Sequence, residues 1–310
     1  MDIAIQAGGT FEELRTTARW AELLGLSTLA VADHYLLSLG DDFGTVPAFD
    51  ALAQLAALAV ETDHIGLAVL VSPITFRHPA VLAKTAVTID HLSGGRFALG
   101  VGTGWLEREH EVFGLAFPET AERFAMLEDA LGYLRAFFDS DHPGHEGRWF
   151  SLEAVPTAPR PIGPLPIVVG GIGPHQTPRL AGAFADEFNC YPAPPGEWRA
   201  RVDRARVAAK DAGRDPDALL ISSAGAVMSA PNEAEYHTML GDAAASSGVT
   251  VEQLEAHMQR RNTPRGTHDQ VMEQLAALAA EGMQRFYLQR SPGFDYDETA
   301  TLIGRLAELN

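Results

Sequence analysis

A handful of short stretches hold the residue types that could do chemistry, and most sit beside glycine or proline. Asp33-His34 follows an apolar run from Thr28 to Ala32. A neutral imidazole near pH 7 can take or give a proton, so His34 is a candidate general acid or base. The blander reading is that Asp33 caps the next segment and His34 is a polar loop residue. Ser72 ends the β-branched run His64 to Val71, just before Pro73. Gly102, Thr103, Gly104 and Trp105 follow another short run, Arg96 to Val101, and glycines there let a ligand approach the backbone. Gly170, Gly171, Ile172 and Gly173 open the segment GGIGPHQTP, in which Thr177-Pro178 reads as an N-cap with proline at the first helical position. Such a turn suits an anion, although it also suits a plain capped strand-to-helix connection.

The charged cluster Glu107, Arg108, Glu109, His110 reads as a solvated loop, with no catalytic role for either glutamate. No metal site is expected from His64, His78 and His91, which fall on different elements with no carboxylate at ligand spacing.

These residues must be positioned by the elements between them, and strand-like and helix-like segments alternate along nearly the whole chain. Asp2 to Gln6 is the first strand. Thr10 and Glu13 form a capping box for a helix with Phe11, Leu14, Ala18, Ala21 and Leu24 on one face. A loop through Asp41 to Gly44 leads to a helix beginning near Pro47. The helix from Pro79 stops at Ser93-Gly94-Gly95, where glycine supplies a left-handed C-cap. Trp105 to Pro118 is read as a non-periodic loop, followed by a helix from about Glu119 to Phe138. Residues of about 139–166 hold six of the 19 prolines and read as an irregular excursion. Further strands are expected at Ile167 to Gly170, Glu187 to Cys190, Leu219 to Met228 and Arg285 to Gln289, with two helical segments inserted over about 231–265. About eight strand–helix repeats suit a (β/α)8 TIM barrel spanning residues 1–310 as one domain, with an open doubly wound sheet as the alternative. In such a barrel the site lies at the carboxyl ends of the strands, where Asp33-His34, Ser72 to His78, Gly102 to Glu109, Gly170 to Gln176 and Gln289-Arg290 all fall.

Composition narrows the partners. Asp and Glu total 41 against 23 Lys and Arg, a formal charge of −18, which disfavours a nucleic-acid or anionic membrane surface. One cysteine, Cys190, leaves no intrachain disulfide and no CxxC metal motif. With no apolar run of membrane-spanning length and no basic leader in MDIAIQAGGTFEEL, the expected setting is cytoplasmic.

Three blocks carry a family resemblance: LAVADHY (29–35), FRHPAVLAKTAVTIDHLSGGRFALGVGTGW (76–105) and PLPIVVGGIGPHQTPRLAGAFADEFN (164–189). In this order they resemble the bacterial luciferase-like monooxygenase superfamily, closest to its branch that uses coenzyme F420, an 8-hydroxy-5-deazaflavin. The resemblance implies a luciferase-like barrel and a hydride exchanged between the deazaflavin ring and a small, apolar organic substrate. It implies that Asp33 and His34 lie beside the ring, and that Gly170 to Gly173 hold its phosphate. It also implies a non-prolyl cis bond at Val69-Leu70 behind the ring, Ser72 at the pyrimidine edge, and Trp105 against ring or substrate. Arg260, Arg261 and Arg265 could meet the coenzyme's phosphodiester and oligoglutamate tail, or be surface charge. Deazaflavin-dependent sugar-phosphate dehydrogenases place a glutamate directly after GVGTG; Trp105 stands there instead and argues against that reaction. The alternatives are an FMN-dependent two-component monooxygenase and a flavin- or deazaflavin-binding protein without turnover. Relatives in the family are commonly homodimers.

Overall fold

The computed structural model describes residues 1–39, 42–141, 143–290 and 295–307. Eight parallel strands close into a barrel: β1 (Asp2–Ala7), β2 (Thr28–Val31), β3 (Gly66–Pro73), β4 (Phe97–Gly102), β5 (Ile167–Gly170), β6 (Glu187–Cys190), β7 (Leu220–Gly225) and β8 (Arg285–Gln289). β1 joins the two ends of the sheet, with Ile5 opposite Leu29 on one side and Leu288 on the other. The expected (β/α)8 TIM barrel is the observed fold, and the open sheet is excluded by this closure.

Side chains alternate across each strand, and the sequence sorts them by size. Ala4, Ala30, Ala68, Val168 and Ala224 point into the barrel, where Leu70 and Tyr287 fill what they leave. Larger residues such as Ile5, Leu29, Leu67, Leu99, Ile167, Phe188 and Ile221 face outward into the main core beneath the helices. A barrel of eight strands has room for few bulky side chains inside, so alanine there and branched residues outside is the packing this sequence dictates. Near the amino-terminal end of the barrel, Arg285 is 2.8 Å from the buried Glu187, whose carboxyl is pushed up by burial against the opposing pull of that guanidinium.

Helices return the chain between strands: α1 (Phe11–Leu23), α2 (Ala51–Glu61), α3 (Pro79–Ser93), α4 (Glu107–Phe113), α5 (Thr120–Phe138), α6 (Gln176–Phe184), α7 (Pro195–Asp211), α8 (Glu233–Ser246), α9 (Val251–Arg260), α10 (His268–Ala280) and α11 (Tyr296–Ala307). The Thr10–Glu13 capping box forms as expected, and Gly94 ends α3 in the left-handed conformation. The guanidinium of Arg96 then fastens the amino-terminal face, donating to the carbonyls of Ala59, Thr62, Ile65 and Ser93.

Several expected boundaries differ. The second helix starts not near Pro47 but at Ala51, because Asp50 caps it by accepting the Ala53 N–H at 2.9 Å. Of the loop expected through Asp41 to Gly44, Asp41 lies outside the described residues, and Asp42–Val46 instead pairs antiparallel with Leu37–Leu39. The seventh strand stops at Gly225; Met228–Ala230 leaves the barrel and pairs with Arg265–Thr267 under the inserted α8 and α9. Within the irregular excursion, the short hairpin His145–Glu146 with Ser151–Leu152 is held to α5 by Asp129, which accepts from Trp149 N–H at 2.6 Å and meets His145 Nε2 at 2.6 Å. Trp105 to Pro118 is not wholly a loop, since α4 occupies its middle.

Candidate active site

At the carboxyl end of β2 the chain turns through Asp33, His34 and Tyr35, and the three side chains part company. Asp33 is fully buried: it accepts the Ser72 hydroxyl at 2.7 Å and pairs with the Arg77 guanidinium. Arg77 also reaches Asp50 at 2.6 Å. Burial works against the Arg77 cation, but Asp33 and Asp50 outweigh it and hold its proton above the ordinary value. Asp50 is likewise pushed up by burial, yet the Ala53 N–H and Arg77 prevail and keep its carboxyl below its usual range. Burial pushes the neighbouring Tyr35 hydroxyl up to about 12. Asp33, expected as a catalytic residue, and Ser72, expected as a ring contact, are thus hydrogen-bonded to each other within the wall. Both are spent on an internal ion-pair network, where leaving either carboxylate or guanidinium unpaired would be costly.

His34 behaves differently. Its Nδ1 lies 3.1 and 3.3 Å from the two carboxylate oxygens of Glu109, which is wholly buried and also accepts the Tyr35 N–H at 3.1 Å. A carboxylate only accepts, so the pair places an imidazole hydrogen on Nδ1 and leaves Nε2 without a partner among the described residues. Trp105 meets the imidazole edge-on at 5.7 Å and is 72% exposed, so it is a wall of the mouth rather than core. Glu109 is the residue that sequence reasoning passed over. It arrives on α4, whose buried positions are Glu109 and His110; the latter is fixed by the Leu106 carbonyl at 2.8 Å and Thr75 Oγ1 at 2.7 Å. A helix with polar buried residues shows no apolar stripe, but Gly114 as a left-handed stop and acidic residues in the first turn were available signals.

Behind this corner, β3 carries a bulge against β4. Val69 pairs with Leu99 and Ser72 with Val101, so Leu70 and Val71 together face Gly100. The non-prolyl cis bond is Leu70-Val71, one residue beyond the expected Val69-Leu70, because Val69 still keeps regular register with Leu99 and the ladder is broken only after it. A Cβ on Gly100 would stand 2.0 Å from the Val69 carbonyl oxygen, so this position needs glycine. The Val71 side chain rests in the space left by Gly100, Gly102 and Gly170. From β1, Gln6 donates to the Leu70 carbonyl at 2.7 Å and accepts from Gln289 at 2.7 Å, tying the bulge to the end of β8.

The turn after β5 lies across the mouth from β2. Gly171 donates its N–H to the Asn189 carbonyl at 3.1 Å, which removes it from the expected anion cradle. Ile172 and Gly173 have no N–H partner among the described residues. Helix α6 begins at Gln176, not at Pro178, so Thr177 is no N-cap; it is buried in the first turn with its hydroxyl against the loop. A Cβ on Gly173 would be 2.9 Å from Thr177 Oγ1. The close turn, two open N–H groups and a helix amino terminus fit a phosphate. Among the remaining expected contacts, Thr103 turns its hydroxyl to the Gly104 carbonyl at 3.4 Å, and Gly104 takes a positive φ against Pro73. Arg260 is exposed and Arg265 donates to the Thr263 carbonyl at 3.2 Å.

A closed (β/α)8 barrel with an imidazole–carboxylate pair, a bulged strand and a glycine turn around one mouth places the chain among barrel proteins whose site lies at the carboxyl ends of the strands. The chain matches the luciferase-like monooxygenase family over residues 2–292 and belongs to it. It is 36% identical over 178 residues to an F420-dependent glucose-6-phosphate dehydrogenase of Nakamurella multipartita, covering 57% of this chain and 51% of that protein. A protein of the same name from Amycolatopsis mediterranei is 35% identical over 171 residues, covering 55% and 50%. The chain thus spans about half the length of the curated relatives it matches. Among solved structures, the coenzyme F420-dependent tetrahydromethanopterin reductase of Methanopyrus kandleri superposes with a TM-score of 0.76 at 18% identity over 98% of both chains. An F420-dependent secondary alcohol dehydrogenase in complex with an F420-acetone adduct gives 0.80 at 19% over 98% of both. A long-chain alkane monooxygenase gives 0.79 at 18% over 100% of this chain and 91% of the other. All three share the fold.

Proposed function

We propose that this protein is a coenzyme F420-dependent oxidoreductase that exchanges a hydride between the deazaflavin ring and a small organic substrate. The observation that carries the reading is the His34–Glu109 pair at the barrel mouth: a buried carboxylate fixes one imidazole nitrogen and leaves the other to move a proton. The deazaflavin, when bound, supplies the hydride chemistry. Ile172 and Gly173 N–H groups with the α6 amino terminus would hold its phosphate. Val71, Leu70 and the glycines behind them, together with Gly102 and Trp105, would bound the ring. Glu109 would provide the counter-charge when His34 carries two hydrogens, and Trp105 would shield that nitrogen from water. The curated relatives, which are named for the same coenzyme, support the choice of deazaflavin. Trp105 in place of a glutamate keeps us from extending their sugar-phosphate substrate to this chain.

The same reading takes the barrel as one working domain in the cytoplasm, and the buried, unpaired Cys190 suits a reducing compartment. Among the described residues no helix is long and apolar enough to cross a membrane. A homodimer is supported by exposed Leu23, Val60 and Val81 on the adjacent helices α1 to α3. Titrating tryptophan fluorescence with purified deazaflavin coenzyme and, separately, with FMN tests the proposal. Micromolar binding of the deazaflavin with FMN at least tenfold weaker is the expected result. A reversed preference would move the protein to the FMN-dependent monooxygenases, and binding of neither would overturn both readings.

A further inference from the structure

On the far side of the barrel mouth from His34 lies a cavity of about 950 Å³, roofed by the inserted helices α8 and α9 and floored by the ends of β6, β7 and β8. Pockets that enclose a drug-sized molecule run from about 300 to 1,000 Å³, so the space is large for a small metabolite. Its roof is a separate apolar cluster in which Met228, Met239, Met258 and Leu254 pack around Tyr236 and Leu240. Methionine is flexible and polarizable, and a wall built of it reshapes around apolar ligands.

Charge around the cavity is one-sided. The described lining contains no lysine and a single arginine, Arg261, which lies 5.7 Å over the Tyr191 ring. Against it stand four carboxylates, Glu235, Asp242, Asp295 and Glu298. Asp295 caps α11 by accepting two backbone N–H groups at 2.9 Å, and Glu298 lies 2.9 Å from His268 Nε2, but Asp242 has no partner among the described residues. An anion entering here would meet four carboxylates, with Arg261 and His257 the basic side chains in the described lining. The inner edge is polar but uncharged: Gln289 lies 3.4 Å from the Tyr191 hydroxyl, and the same amide reaches Gln6, which holds the β3 bulge.

We infer that this cavity is the substrate site and that it takes apolar small molecules bearing no anionic group, with a neutral hydrogen-bonding group turned toward Gln289 and Tyr191. The inference deepens the oxidoreductase reading and rests on it for the word substrate, but the binding itself needs no coenzyme. Phosphorylated sugars fall outside this class on charge as well as on polarity.

A matched pair of fluorescent probes tests it on the coenzyme-free protein: neutral N-phenyl-1-naphthylamine and its sulfonated relative 8-anilinonaphthalene-1-sulfonate. The neutral probe is expected to bind at least about tenfold more tightly than the sulfonate. Met239→Trp, which fills the roof, should weaken neutral-probe binding by about tenfold or more, and Thr238→Trp, at an exposed position on the same helix, gives the same reading should the first variant fail to fold. Equal or tighter binding of the sulfonate would overturn the inference, as would neutral-probe binding untouched in a folded filling variant. Failure of deazaflavin to bind would instead strike the proposed function and leave these probe results standing.

Discussion

Gly100→Ala is the substitution whose cost follows most directly from the geometry. The added Cβ would stand 2.0 Å from the Val69 carbonyl oxygen and 3.0 Å from Val71 Cγ1. A carbon and a carbonyl oxygen come no closer than about 3.3 Å even in favourable C–H···O contacts, so the backbones must part by more than 1 Å. Neighbouring strands sit about 4.8 Å apart, and opening them by that much breaks the ladder beside the bulge. Overpacking costs about 1 to 3 kcal/mol, and a lost backbone hydrogen bond adds about 1 kcal/mol, which together give about 2 to 4 kcal/mol. For a chain of 310 residues this lowers the melting midpoint by about 5 °C. Thermal denaturation followed by circular dichroism measures it, with Gly170→Ala as the control. There the short contact is with the Val71 Cγ1 methyl, at 2.7 Å, and the side chain can rotate away at smaller cost. If Gly100→Ala melts within about 1 °C of the wild type, the packing account of the bulge is wrong.

Two further outcomes follow from the ion pairs. Glu109→Gln keeps the volume and an acceptor for the Tyr35 N–H but removes the counter-charge facing His34, so steady-state turnover with the deazaflavin should fall about 100-fold while coenzyme affinity stays within about twofold; unchanged turnover would rule out the proton role. Acid should unfold the protein through carboxyls held below their usual range: in Asp129 and Glu22, burial pushes upward but His145 with two N–H groups, and three N–H groups respectively, outweigh it, and Asp50 behaves alike. Because the folded values are lower than the unfolded ones, this stability is fully present above about pH 4.5 and drains as pH falls through the lowered values. The melting midpoint should hold from pH 7 to about 5 and drop below about 4. A flat midpoint down to pH 3 contradicts the assignment.

Apolar periodicity made the barrel legible, and its failures are instructive. β5, β6 and β8 were readable to the residue because each is a short run bounded by turn formers and buried on both faces. β7 was overrun at Gly225 because Val227 and Met228 continue the apolar run after the backbone has left the sheet, and pairing with Arg265–Thr267 is a non-local choice that local pattern does not encode. Helix α4 was invisible for the opposite reason. Its inward residues, Glu109 and His110, are polar and satisfied by partners up to 75 positions away, so nothing in the local pattern announced burial.

The site shows the same asymmetry, and it bears on how such motifs should be read. Asp33, Ser72 and Arg77 belong to the most recognisable segments of the chain, yet they meet one another inside the wall, and Arg96 of the same signature fastens the opposite end of the barrel. What faces the mouth is less distinctive in sequence: one imidazole, an exposed indole and open N–H groups. A buried guanidinium–carboxylate network tolerates few substitutions because losing one partner strands the other, whereas an exposed wall can change with its ligand. Signature residues therefore mark where the mouth is built, and the residues that touch ligand must be found from the geometry those networks enforce. Glu109 joins the two groups: it is as buried as Asp33, but the partner it holds, His34, keeps one nitrogen without a partner among the described residues.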